Sequence, residues 1–521
     1  MYDHGGSSKR RAPEHPGRTA TSEQLGAIVA AHKQTARQNQ PVDGSEHHFV
    51  VAIIPAHNEQ DQIAASLASL HRQSRPADVI VVMADNCTDD TVDMAVAAGA
   101  TVVETVGNPD RKAGALNVAL NVMLGHLDDH DGVLIMDADT ELSDGFLAVA
   151  SRHLWATTND TPIGGVGGIF VGSRHITGHN GQWSLVRQLQ QNEYVRYARH
   201  LGRRQGRALV LTGTGTLFNA GALAEVARAR QLGQLPDEGN SASVYDTASL
   251  TEDNELTLSL KRLGYRTRSP RECLVYTAMM PTVAKLFEQR RRWQRGALEN
   301  LKSHGLGRHT APYIMRQLGT YLGVLFLPLY LVTLTTALIR FGAVDWLRPL
   351  WVTVAVVFVV EQTWSVRRGG WRSMGVSVAV IPELWLTVLL HSVYSVALFG
   401  LLAGTGERWG RGVDERCLHQ LTKPEHRARG HDAQHDDGPT ADDGPTGECR
   451  PGHVSLASLP RKRPQWPWRG LMAVPFVIAM AAGVVVVLPL LALSAAWTAI
   501  AVFVLTGFFL TLGRLIPVPM A

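Results

Sequence analysis

From residue 49 onward, short apolar runs alternate with stretches in which apolar side chains recur at helical spacing. That is the pattern of a parallel α/β sheet. The runs predict strands over 49–54, 79–83, 101–103 and 133–136, and the periodic stretches predict helices over 60–72, 90–98 and 113–127. Gly-rich, strand-like pieces follow at 164–171 and 208–218, with helices near 182–200 and 253–263. Ligands of such sheets bind outside the carboxyl ends of the strands, so chemistry is expected at 55–59, at Asp85 and at 137–139.

A second pattern begins after residue 312. Residues 317–339 carry no charged side chain and are long enough to cross a bilayer, and 471–512 reads as two spans joined by a tight turn. Residues 346–364 span only with Arg348 and Glu361 at the rims. Residues 374–403 are apolar but interrupted by Pro382, Glu383 and His391, so they read as a crossing, a re-entrant hairpin or an interfacial element. In a crossing, Glu383 and His391 are the candidates for a polar path. The chain therefore divides into a tail expected to be disordered (1–48), a catalytic domain (49–300), a first membrane region (313–403), a disordered polar linker (404–470) and a transmembrane hairpin (471–512).

Composition narrows the function classes. Fifty Lys and Arg against 46 Asp and Glu give no general electrostatic case for a nucleic-acid partner. Four scattered cysteines without Cys-x-x-Cys spacing support neither a disulfide scaffold nor a zinc site. Residues 1–48 lack the apolar run of a secretory signal, and Arg367, Arg368, Arg408, Arg461, Lys462 and Arg463 flank the apolar segments. The expectation is a multi-pass integral membrane protein with its catalytic domain on the cytoplasmic side.

Several acids sit at predicted strand ends. Asp137 and Asp139, emerging together after 133–136, can hold a hard divalent cation that bridges a diphosphate, whereas an isolated Asp-x-Asp is as often a solvated loop. Asp85 can accept hydrogen bonds from a nucleobase or ribose, and Asn58 and Glu59 can reach the same nucleoside. Asp89 and Asp90 read as an N-cap. Lys112, ahead of a helix start, can offset phosphate charge. Glu252 and Asp253 suit the first turn of a helix, and Asp253 alternatively suits a general base. Gln289 and Arg292 lie at i, i+3 spacing and can point at one diphosphate, while the run of arginines at 290–292 equally suits anionic lipid heads.

Taken in order, 55–59 (Pro-Ala-His-Asn-Glu), Asp85, 112–117 (Lys-Ala-Gly-Ala-Leu-Asn), 137–139 (Asp-Ala-Asp), 251–253 (Thr-Glu-Asp) and 289–293 (Gln-Arg-Arg-Arg-Trp) resemble the family 2 inverting glycosyltransferases. Within that family the resemblance is to the membrane synthases of cellulose, hyaluronan, chitin and poly-N-acetylglucosamine. It implies an α/β nucleotide-sugar-binding, Rossmann-like catalytic domain followed by α-helical transmembrane segments. It also implies a nucleoside-diphosphate sugar donor, UDP by analogy, a glycan or lipid acceptor, and Mg2+ or Mn2+ as cofactor. Position by position, it implies Glu59, Asp85 and Lys112 around the uridine and phosphates, Asp137 near the donor and Asp139 on the metal. Asp253 becomes the base, Gln289, Arg292 and Trp293 hold diphosphate and acceptor, and Gly213 and Thr214 belong to the stretch lining the acceptor. Polysaccharide synthesis is the expected role; transfer of one sugar to a lipid, or nucleotide-sugar binding without catalysis, are the alternatives.

Overall fold

The computed structural model describes residues 17–38, 48–156, 161–172, 183–203, 206–341 and 349–404. The expected hairpin at 471–512, and the expected linker at 404–470 apart from Gly404, lie outside the described residues.

The strands β1 (Arg18–Ala20), β2 (Val50–Ala56), β3 (Val79–Asp85), β4 (Thr101–Thr105) and β5 (Gly132–Ile135) are joined through α1 (Ser22–Gln38), α2 (Ile63–His71), α3 (Thr91–Ala97) and α4 (Arg111–Met123). After β6 (Glu141–Leu142) and α5 (Phe146–Leu154) come β7 (Ile163–Gly167), β8 (Ile169–Gly172), α6 (Leu185–Arg203), β9 (Thr216–Asn219) and α7 (Ala220–Gln231). Then follow α8 (Glu252–Arg262), β10 (Arg266–Arg268), β11 (Leu274–Thr277) and α9 (Val283–His304). Eight strands form one sheet in the order β1-β4-β3-β2-β5-β9-β7-β10, and β6-β11-β8 form a second. The first five strands of the large sheet run parallel, and β9 is antiparallel to both its neighbours.

All seven residues of β2 are buried, because this central strand is covered on both faces. Successive side chains point to opposite faces. Val51 and Ile53 therefore join Leu116, Leu120 and Leu256 in one core layer, while Ala52 and Ile54 join Leu67 and Phe146 in the other. Register then sets the active edge. Ile53 pairs with Ile135, Ala56 with Ala84 and Asp85 with Thr105, so the turns after β2, β3 and β5 open on the same side. Asn58 and Asn86, just past β2 and β3, hold left-handed backbone (φ 56° and 51°), which Asn tolerates better than most residues.

Three expectations need correction. The tail at 1–48 is in part structured: β1 adds an edge strand along β4, and α1 buries Leu25, Ile28 and Val29. The Nζ of buried Lys33 lies 2.5 Å from Asp131 and 2.9 Å from Asp128, an internal partnership that composition does not reveal. The stretch 208–218 is strand only from Thr216; the Gly-x-Gly segment before it is loop.

Segment 374–403 is not one helix. α10 (Ala311–Phe341) and α11 (Pro349–Ser365) cover the first two expected spans, but the third breaks into α12 (Gly370–Val378) and α13 (Ile381–Leu402). The break falls at Val380, in left-handed backbone (φ 57°), two residues before Pro382. α13 is the one helix among the described residues that is long and apolar enough throughout to cross a membrane, and it packs along α9. Glu383, a candidate either for a polar path or for an interfacial turn, is gripped by Arg196 of α6 through a two-pronged ion pair of 2.8 and 3.0 Å.

Candidate active site

Three turns build the floor of the site. The backbone N–H of Glu59, in the turn after β2, donates to Thr91 Oγ1 at 2.8 Å, and Asn58 Oδ1 accepts from Thr88 N at 2.8 Å. Asn58 is thus occupied in tying two loops together. Asp89 accepts from the backbone N–H of Thr91 at 3.1 Å, whereas Asp90, the N-cap residue of α3, makes no side-chain cap hydrogen bond. Asp85 is buried at the end of β3 and receives Thr105 Oγ1 at 2.7 Å, Asn108 Nδ2 at 2.9 Å and Asn86 Nδ2 at 3.2 Å, all on Oδ1. Asn108 also donates to Arg111 O at 2.7 Å, and this shapes the turn that starts α4 and sets Lys112 over the carboxyl edge.

Lys112 is the centre of the charge arrangement. Its ammonium lies 2.6 Å from Asp137 Oδ1 and 3.1 Å from Glu252 Oε1, so it joins the end of β5 to the start of α8. Burial alone would lower its pKa, but Asp137 and Glu252 outweigh that and push it well above the ordinary lysine value. Burial likewise opposes ionisation of Glu252, yet Lys112, with help from Arg292, holds its pKa below the ordinary value. Arg292 therefore acts on this cluster from α9.

Asp253 stands beside them. Its carboxylate accepts the N–H of Gly213 at 3.1 Å and that of Asn254 at 2.8 Å. Burial, and then the charge of Glu252, raise its pKa to about 6, with Lys112 pulling the other way. A Cβ on Gly213 would come within 2.9 Å of the Lys112 ammonium, so this position has no room for a side chain while the lysine is held by its two carboxylates. Thr214 Oγ1 donates to Thr212 Oγ1 at 3.3 Å.

The remaining acids repel one another. Burial, then Asp137, raise the pKa of Asp139 to about 6; burial, then Asp139 and Asp137, raise that of Glu59 to about 7. Carboxyl groups that hinder each other's ionisation in a half-buried cleft are suited to a cation. Among the described residues no three His, Cys, Asp or Glu side chains converge as a complete metal cage. The donor set therefore fits a hard cation whose remaining ligands come from phosphate oxygens or water.

The segment 289–293 divides. Arg290 is 2% exposed and pairs with Glu193 of α6 at 2.8 Å, so it is a buried structural cation and unavailable to lipid heads. Its guanidinium lies 4.3 Å from the ring centroid of Trp293, which packs against the cluster of Phe170 and Tyr194. Gln289 is half-buried, and its Oε1 has no hydrogen-bond partner.

Comparison with known proteins fits this geometry. A family model described as "Glycosyltransferase like family 2" matches residues 47–296. Residues 47–296 are thus similar to glycosyltransferases of that family.

A curated 4,4'-diaponeurosporenoate glycosyltransferase of Staphylococcus aureus is 46% identical over 66 residues, 13% of this chain and 17% of that protein. The chain thus matches about a sixth of the length of that curated relative. Among solved structures, a mannosyltransferase from Pyrobaculum calidifontis in complex with GDP-Man and Mn2+ is 20% identical with a TM-score of 0.41, covering 70% of this chain and 99% of that one. Glucosyl-3-phosphoglycerate synthase from Mycobacterium tuberculosis, in complex with Mn2+, UDP and glucosyl-3-phosphoglycerate, is 17% identical with a TM-score of 0.31, covering 54% and 85%.

Several residues that shape the site receive no role from sequence reasoning. Asn117 of α4 holds the backbone of Tyr245 with two 2.9 Å hydrogen bonds, fixing the loop that leads into α8. Asn300 of α9 donates to Thr251 O at 3.1 Å, and Gly296 lets α9 approach so closely that a Cβ there would meet Thr251 Oγ1 at 2.4 Å. Asn117 lies within a recognised motif; Asn300 and Gly296 lie on a helix whose partner only the fold reveals.

Proposed function

We propose that this chain is a membrane glycosyltransferase that moves a sugar, with inversion, from a nucleoside-diphosphate donor, UDP by resemblance, to an acceptor hydroxyl. The observation that carries it is the placement of Asp253 beside the Lys112–Asp137–Glu252 ion cluster. That cluster sits where the diphosphate is expected, and Asp253 has a carboxyl suited to accept a proton near neutral pH.

In the reaction the acceptor oxygen attacks the anomeric carbon, the bond from that carbon to the diphosphate breaks, and Asp253 takes the hydroxyl proton. One displacement inverts the configuration. Lys112 and Arg292 offset charge on the departing diphosphate, and Asp85 receives the nucleoside at the end of β3. Asp137 and Asp139 would hold Mg2+ or Mn2+, which supplies further neutralisation of phosphate charge. Gly213, whose N–H meets Asp253, its neighbour Thr214, and Trp293, stacked on Arg290, border the acceptor; Gln289 belongs to the same helix as Trp293.

The membrane reading rests on α10, α11 and α13, whose Leu325, Val356, Val360 and Leu402 are exposed. With Arg367 and Arg368 flanking these helices, the catalytic domain would lie on the cytoplasmic side. Polysaccharide synthesis is favoured by a seam that leaves Trp293: Gln294 Nε2 donates to Gln317 at 2.7 Å and to Tyr321 at 3.0 Å, and Tyr321 OH donates to Tyr394 O at 3.3 Å. Amides and aromatic rings in sequence suit a sugar chain. A lipid acceptor is the second reading, favoured by the exposed apolar faces of the same helices.

Purified full-length protein in vesicles, given a panel of radiolabelled nucleotide sugars with Mg2+ or Mn2+, should transfer label from at least one donor and stop in excess chelator. A growing ladder marks polysaccharide, and a single lipid-soluble product marks the second reading. No transfer from any donor overturns the enzymatic assignment; undiminished transfer in chelator overturns the metal.

A further inference from the structure

The short helix α12 is built inside out. Ser373 and Ser377 are turned into the protein at 0% and 1% exposure, while Trp371, at 78%, Met374 and Val378 face outward. A helix against water shows the reverse arrangement. An outward apolar stripe of this kind marks an apolar medium or partner.

Cations surround the stripe. Arg367, Arg368 and Arg372 are exposed, Arg367 over Trp364 at 4.1 Å and Arg372 over Trp371 at 5.4 Å. The end of α6 adds Arg199 and Arg203, with Glu361 3.7 Å from Arg199. Burial, and then the charge of Arg203, lower the pKa of Arg199, and Arg367 and Arg368 act in the same sense. These guanidinium groups are therefore close enough to repel. An apolar stripe with Trp at its edge and crowded arginines beside it complements the phosphates and acyl boundary of an anionic bilayer surface.

The buried face of α12 meets α6. Gln188 Nε2 donates to Ser373 Oγ at 2.9 Å, Asn192 Nδ2 to Ser373 O at 3.2 Å, and Arg196 Nη2 to Ser377 Oγ at 3.2 Å. Arg196 also grips Glu383, which anchors the start of α13 to the same helix. On the other side of α6, Glu193 holds Arg290 under Trp293. Direct contacts thus run from the buried face of α12, through α6, to the border of the active site.

We propose that α12 with its flanking arginines is a seat for anionic phospholipid head groups, and that the occupied seat steadies α6 and, through it, Arg290 and Trp293 for transfer. The proposal rests on the membrane reading above and adds to it the lipid chemistry and the route by which lipid affects rate. Glu383 and Arg196 are positioning residues on that route.

The test uses the full chain in vesicles of phosphatidylcholine alone or mixed with phosphatidylglycerol. Anionic vesicles should raise kcat about fivefold, the factor associated with roughly one basic contact to an anionic surface, and leave donor KM unchanged. A variant with Arg367→Gln, Arg368→Gln and Arg372→Gln should keep the neutral-vesicle rate and lose the rise. Brominated phosphatidylglycerol should quench tryptophan emission more in the wild type than in Trp371→Phe. Glu383→Gln should keep that quenching and lose the rise.

No rise in the wild type, or an undiminished rise in the triple variant, overturns the proposal. If transfer is absent in every lipid, the enzymatic reading fails, and the quenching comparison still decides the seat: equal quenching of wild type and Trp371→Phe overturns it.

Discussion

Replacing Asp253 by Asn separates catalysis from helix capping, because only the catalytic role predicts a large loss of rate in a folded variant. The carboxyl is lifted from 3.8 to about 6 by burial and by Glu252. An acid whose folded pKa lies above its unfolded one is disfavoured in its charged form by folding. That penalty builds as pH rises from the unfolded to the folded value and is fully present above about 6. At about 1.36 kcal/mol per pH unit it is on the order of 3 kcal/mol at neutral pH as an upper bound. Against it stands the favourable interaction of a first-turn charge with the dipole of α8, about 0.3–1 kcal/mol. The two carboxylate oxygens accept from different partners, Oδ2 from Gly213 and Oδ1 from Asn254, and an amide replaces only one of them, so one N–H is left facing Nδ2 at a cost of about 1–3 kcal/mol. The stability of Asp253→Asn relative to wild type should therefore improve by up to about 3 kcal/mol between pH 4 and pH 7, on top of that constant loss.

Its transfer rate should nonetheless fall about a hundredfold or more, which corresponds to about 2.7 kcal/mol of barrier. Donor affinity should remain, since Lys112, Asp137 and Glu252 are untouched. The wild-type kcat should fall about tenfold per pH unit below about 6 and level off above it. Radiolabel transfer, donor titration and thermal melts of the same preparations measure all three quantities. A variant that melts lower and retains near-normal turnover would show that Asp253 is only a first-turn acid.

Lys112→Met should weaken donor binding by about tenfold or more by leaving Asp137 and Glu252 without their shared cation. Because Lys112 also pulls the Asp253 pKa down, the acid limb of the kcat profile should move to higher pH; an unmoved limb would separate the two residues. Asn117→Leu leaves the backbone N–H of Tyr245 buried and unpaired, while Ser241 Oγ still donates to its carbonyl at 2.8 Å, and should destabilise the domain by about 1–3 kcal/mol, read by denaturant titration. A loss well below that range would mean that water replaces the amide.

The sequence alone carried the parallel sheet, because buried central strands must be apolar throughout and β2, β3 and β5 are written that way. It also located the acids of the site, since strand ends face ligands whatever the rest of the fold does. Tertiary structure decided what those residues do to each other. Lys112, Asp137 and Glu252 are far apart in the chain and meet only because β5 and the start of α8 open on one edge. The 290–292 run showed three adjacent cations, and only packing against Glu193 makes Arg290 a buried strut, while the charge of Arg292 helps to keep Glu252 ionised. The partly structured tail was unreadable because its stabilising partners, β4 and Asp131, belong to distant segments. Glu383 looked like a polar group stranded in a span. Only the fold supplied Arg196, because side-chain pairing across an interface leaves no periodicity in the sequence of either helix.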